Sequence, residues 1–126
     1  MMPILQDLRD KLSSIPLVNT CRIGIEANIT PDDYPIVRLV PTLIRKGKTD
    51  LCRRRSMDLT VYFGVPIHAF EQGLPEVYRR LFDLEAAILE SMAVGNGYLI
   101  TYVDTLTDED RLDTYKIMAV RVVVEG

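Results

Sequence analysis

The chain has 126 residues, 48% hydrophobic and 26% charged. That is ordinary globular composition for one domain, and it excludes disorder, a collagen repeat and a disulfide scaffold as overall classes. The net charge of −3 and a pI of about 5.1 disfavour a nucleic-acid-binding surface spread over the whole molecule.

Residues 3–14 predict a short helix. Pro3 suits its first position, Leu5, Leu8, Leu12 and Ile15 form one apolar stripe, and Pro16 ends it. A helix this short is marginal alone, so the stripe must dock on something. Residues 17–25 alternate, with Leu17, Cys21, Ile23 and Ile25 on one face and Thr20, Arg22 and Gly24 on the other, and predict a half-buried strand. Thr30-Pro31-Asp32-Asp33 predicts a single capped turn before Pro35. Residues 36–45 predict a second strand, in which Pro41 requires an edge position or a bulge because proline cannot donate to the ladder.

After a polar connection, residues 54–66 show the clearest alternation in the chain. Met57, Leu59, Val61, Phe63 and Val65 point one way, and Asp58, Thr60 and Tyr62 the other. The second and third strands predict a long hairpin. Pro75 to Met92 predicts the main helix, buried through Val77, Leu81, Leu84, Ile88 and Met92 and widened by Tyr78, Phe82 and Leu89, with Glu76 and Arg80 spaced as an ion pair. Gly95 suits a left-handed helix end. Residues 98–106 and 113–125 predict two more strands. The last is apolar on both faces, as interior strands are. The expected architecture is α+β: a two-layer sandwich with two helices on one face of a largely antiparallel or mixed sheet of about five strands, in a single domain over residues 1–126.

Chemical motifs are sparse. No stretch of about 18 apolar residues predicts a membrane span. Met1 to Asp10 lacks a basic region followed by an apolar core, so no secretory signal is expected, and the Asn28-Ile29-Thr30 sequon reads as chance. Cys21 and Cys52 are then most simply reduced thiols of a cytosolic protein. His68 is the single histidine, and no CxxC, HExxH or EF-hand loop accompanies it, so no metal site is expected. Gly47-Lys48-Thr49 is no phosphate loop, because Thr42 stands where that motif needs glycine. Gly95-Asn96-Gly97 has Ile100 in place of a third glycine and closes a helix instead of opening one. No nucleophile has a base at a recognisable spacing, and neither an enzymatic activity nor a cofactor is expected.

The anomaly is charge layout. Residues 45–55 hold Arg45, Lys46, Lys48, Arg53, Arg54 and Arg55 against Asp50 alone, a net of +5, so the other 115 residues carry −8. Residues 104–113 hold Asp104, Asp108, Glu109, Asp110 and Asp113 against Arg111, a net of −4. The plainest reading is two solvated hairpin tips. A second is a head-to-tail contact between copies, basic hairpin to acidic turn, which closes into a ring when the rotation allows. A third is a ring whose basic tips line the lumen and touch DNA phosphates without reading sequence. No aromatic residue lies among these basic residues, so stacking on a single strand is disfavoured.

Beyond these patterns, the chain resembles the tail terminator (tail completion) proteins of long-tailed bacteriophages. The resemblance rests on the N-terminal helix and on Ile23-Gly24-Ile25-Glu26-Ala27, then Thr30-Pro31-Asp32-Asp33-Tyr34-Pro35 leading into Ile36-Val37-Arg38-Leu39-Val40-Pro41. It continues through the basic hairpin, the Met57–Val65 strand, the helix at 75–92 and the closing strand pair. It implies a small α+β protein with two helices against a sheet, acting as a ring, typically a hexamer, on the end of the tail tube. Such a ring stops tube growth and offers a surface to the head. The implied partners are further copies of the chain, the tail tube protein and the head–tail connector protein, with a non-specific DNA contact in the lumen and no membrane. The implied location is the bacterial host cytoplasm during assembly and then the virion, the gene being carried by a phage or a prophage. Other neck and head–tail joining proteins share this architecture. The resemblance brings no short motif whose residues carry a role, so the basic and acidic residues named above are candidate contacts from their charge.

Overall fold

The structure is a computed structural model, and the residues it describes are 2–24, 33–46, 55–66, 73–93, 97–107 and 115–126. Helix α1 (Met2–Ser13) leads into β1 (Thr20–Ile23), β2 (Ile36–Lys46) and β3 (Arg55–Pro66). Helix α2 (Leu74–Met92) follows, then β4 (Leu99–Leu106) and β5 (Tyr115–Glu125). One five-stranded sheet has the order β1-β2-β3-β5-β4. Only β1–β2 is parallel; β2–β3, β3–β5 and β4–β5 are antiparallel, so the sheet is mixed.

The helices cover one face. Across the central strands the register aligns Val37 with Phe63 and Leu39 with Val61, then Val61 with Val120 and Phe63 with Met118. These side chains are buried together with Leu5, Leu8 and Leu12 of α1 and with Val77, Leu81, Leu84, Ile88 and Met92 of α2. Each helix therefore docks by the stripe its sequence spacing predicts, and the fold class is the expected α+β sandwich. Among the described residues no helix is long and apolar enough to cross a membrane.

Pro41 sits where its chemistry permits. The β2–β3 register slips between Pro41 and Leu43, a bulge, and β1 pairs with β2 only as far as Leu39. Thr42 Oγ1 donates to the Asp58 carbonyl oxygen (3.1 Å) across the irregularity. β5 lies between β3 and β4, as its two apolar faces require, with Ile117 and Ala119 buried on the face away from the helices.

Two expectations need correction. The first strand starts at Thr20, not near residue 17, because α1 ends in turns: the Ile15 N–H donates to Leu12 O and the Val18 N–H to Ile15 O. Leu17 is therefore exposed, while Val18 reaches the core. Phe82 does not widen the buried face of α2; it is half exposed, 6.0 Å from the Tyr78 ring between centroids. The expected Glu76–Arg80 pair forms (3.3 Å), and Arg79 joins it on the same carboxylate (2.6 and 2.9 Å). The capped turn at residues 30–33 falls largely outside the described residues, and Cys52, His68 and Gly95 fall wholly outside them.

α1 is also fastened to the start of β4. Tyr98 donates its hydroxyl to Asp7 Oδ2 (2.6 Å), Lys11 Nζ pairs with the same carboxylate (3.2 Å), and Lys11 stands over the Tyr98 ring. The Tyr98 hydrogen bond, with help from Lys11, holds the Asp7 carboxyl below its ordinary value. Burial and the neighbouring carboxylate push the Tyr98 phenol up, which keeps it a donor.

Two predictions follow from this packing. Gly64 faces away from the helices, and a Cβ there would lie 2.9 Å from Ile117 Cγ1, 3.0 Å from the Lys116 carbonyl oxygen and 3.2 Å from the Tyr34 ring. Gly64→Ala is expected to destabilise the fold by about 1–3 kcal/mol in a denaturant titration. Asp7 has a lowered folded pKa, so its contribution is complete above the unfolded value and fades as pH falls through the folded one. Asp7→Asn should therefore lower the Tm at pH 7, and its deficit against wild type should shrink below about pH 4.

Candidate functional site

The hairpin of β2 and β3 carries the basic cluster to one end of the sheet. At that end Lys46 faces Arg55, Ser56 faces Glu125, and Glu125 faces Leu99 of β4. Arg55 is exposed, and its backbone exchanges hydrogen bonds with Gly126 (3.3 and 3.5 Å). Arg45 lies one turn of the ladder back, and its guanidinium grips Asp58 through Nη1 (3.3 Å) and Nη2 (3.1 Å). Lys48, Arg53 and Arg54 lie outside the described residues.

The acidic run leaves from the other end. There Pro66 faces Tyr115, and Leu106 of β4 faces Ala119. Asp108, Glu109, Asp110 and Asp113 lie outside the described residues, between Thr107 and Tyr115. The register thus places the stems of the two charged segments at opposite ends of the same sheet. The length of β3, twelve residues, separates them by about 36 Å.

Asp104 belongs to a different environment from the rest of its run. It sits within β4, where Arg121 of β5 donates to it through Nε (2.6 Å) and through Nη2, and Arg121 is the chief reason its carboxyl lies below the ordinary range. The sequence groups Asp104 with its acidic neighbours, yet its partner is seventeen positions away on the adjoining strand.

Sequence reasoning passed over the helix-free face as a unit. Alternation puts Arg22, Arg38, Arg45 and Arg121 there, opposite to the Val and Leu positions of the same strands. Arg22 pairs with Asp33 (3.6 Å), Arg45 with Asp58 and Arg121 with Asp104. Arg38 instead stands over the Tyr62 ring, 5.6 Å from its centroid, with a buried Nε that has no hydrogen-bond partner among the described residues. The signal was in the sequence: an arginine recurs at polar positions of three strands.

Little in the described residues is poised for chemistry. Burial pushes the Cys21 thiol up to about 11, so it carries little thiolate at neutral pH. No group of three or more His, Cys, Asp or Glu side chains among the described residues is arranged to hold a metal ion. A mainly apolar surface depression of about 540 Å³ lies between the end of α2 and β4.

No protein-family model matches the chain, and no curated protein matches it. Among solved structures, the gp17 protein of bacteriophage SPP1 is similar over 96% of this chain and 88% of that one, at 17% sequence identity and a TM-score of 0.42.

Proposed function

We propose that this chain is a structural protein of a long-tailed phage that forms a ring on the end of the tail tube, stops its growth and presents a surface for head attachment. One observation carries the reading: the stems of the basic hairpin and the acidic turn leave opposite ends of one sheet. A ring of such subunits has two chemically different sides, as a cap between two different partners requires. The residues that resemble tail terminator proteins, and the two helices against a sheet that the resemblance implies, support the same reading.

In this reading Arg45, Lys46, Lys48, Arg53, Arg54 and Arg55 form one contact surface, for the tube or for DNA in the lumen. Asp108, Glu109, Asp110 and Asp113 form the other, towards the connector. Arg45 and Asp104 contribute least, since each is held by a partner within the chain. The ring is a hexamer, assembled in the bacterial host and retained in the virion.

Electron microscopy of phage lysates with and without the gene tests this. Overlong tubes without heads are expected in the deletion. Tails of normal length that fail to join heads would move the protein to a joining role, and intact infectious particles would overturn both. Complementation with the Arg53→Glu, Arg54→Glu, Arg55→Glu triple variant should leave tubes uncapped while circular dichroism shows a folded chain. If the hairpin instead pairs with the acidic turn of the next copy, reversing Asp108, Glu109 and Asp110 as well should restore capping.

A further inference from the structure

Among the described residues two edges of the sheet are open, and each exposes large apolar side chains. β4 is the last strand in the order, and Leu99, Tyr102 and Val103 along it are 61%, 50% and 51% exposed. It has no lysine or proline to discourage pairing, and its one charge, Asp104, is held by Arg121. On its helix side lies the 540 Å³ groove, lined by Leu89, Met92, Tyr98, Ile100, Tyr102 and Val122. At the other side of the sheet, β1 covers β2 only as far as Leu39. Among the described residues no strand pairs with residues 41–46 of β2 on the side away from β3, and Leu43 and Ile44 there are 47% and 48% exposed.

We infer that these two edges are the two halves of one contact: the outer half of β2 in a second copy of this chain adds to β4, with Ile44 seated in the groove beside Ile100 and Tyr102. The faces agree. Ile44 pairs with Met57 and so lies on the helix side of β2, the side on which the groove flanks β4. The directions agree as well. Three antiparallel pairings separate β2 from β4, so they run oppositely in one chain. A neighbour set alongside in the same orientation therefore presents its β2 antiparallel to β4, as a ladder requires. Because the two edges differ, the contact is heterologous, and repeating it by pure rotation closes a ring when that rotation divides a full turn. Parallel addition would invert each successive copy and put its helices on the opposite side, which builds a filament instead.

This arrangement deepens the ring reading, on which its biological setting rests. It gathers the basic hairpins on one rim and the acidic turns on the other. Like-charged tips then sit together, so salt should strengthen self-association. Pairing of hairpin to turn would be weakened by salt.

Sedimentation equilibrium of the full chain at low and high salt, up to millimolar concentration, tests the contact. Wild type is expected to associate beyond a dimer, more strongly at high salt. Ile44→Lys and Tyr102→Lys, both at exposed positions, should each weaken association about tenfold or more. An equimolar mixture of the two variants should form a dimer that grows no further, because one retains an intact β4 and the other an intact β2. That dimer would also show both variants to be folded. A wild-type chain monomeric at both salts, association weakened by salt, variants that associate like wild type, or loss with Tyr102→Lys alone, which would mean β4 pairing with β4, would each overturn the inference. The contact and the capping role fail separately: edge pairing in a chain whose deletion leaves tails intact refutes only the cap, and overlong tails with normal variant assembly refute only the contact.

Discussion

β3 has apolar side chains at every second position and a strand hydrogen-bonded on each side, and that combination constrains everything else. Met57, Leu59, Val61, Phe63 and Val65 are all buried on one face, which β2 and β5 extend with Val37, Leu39, Met118, Val120, Val122 and Val124. A flat apolar surface of three strands cannot stand in water. α2 supplies a stripe long enough to cover most of it, and α1, too short to be stable alone, completes the layer by lying against β1 and β2. The Tyr98–Asp7–Lys11 cluster then ties the α1 side of the layer to the beginning of β4.

The same register sorts the charge. Along the helix-free face three arginines face a carboxylate, Arg22 with Asp33, Arg45 with Asp58 and Arg121 with Asp104. These exposed pairs add little stability, but they offset three of the four arginines on that face. The densest runs of like charge in the sequence fall instead on the segments joining β2 to β3 and β4 to β5. Because β3 and β5 are antiparallel and in full register from Ser56–Glu125 to Pro66–Tyr115, those two segments cannot share an end.

What the sequence made legible was periodic and local. Both helices, all five strands and the buried stripe of each helix follow from spacing, and Pro41 announced its bulge. What it hid was non-local. Nothing in residues 17–25 says that Ile15-Pro16 turns the chain and delays the strand to Thr20. A helix wheel cannot say how wide the covered stripe is, so Phe82 fell on the wrong side of its margin. The parallel pairing of β1 with β2, the identity of the two strands that flank the interior β5, and the partnership of Asp104 with Arg121 depend on strand order, which alternation leaves open. The candidate contacts divide the same way. Their charge was visible as composition, and the placement of the two segments' stems at opposite ends of one sheet was not.

Strand order also decides what a second copy can do. The sheet ends in β4 on one side and in a half-covered β2 on the other, so its two edges differ and a contact between them has a direction. In the proposed ring, copies in one orientation bring basic tips together on one rim. Their mutual repulsion opposes closure when nothing faces them, and it falls as soon as an oppositely charged surface does. Apolar edges then supply the attraction between copies, and the charged rim supplies the condition under which it prevails. Under that proposal the ring closes most readily on its target.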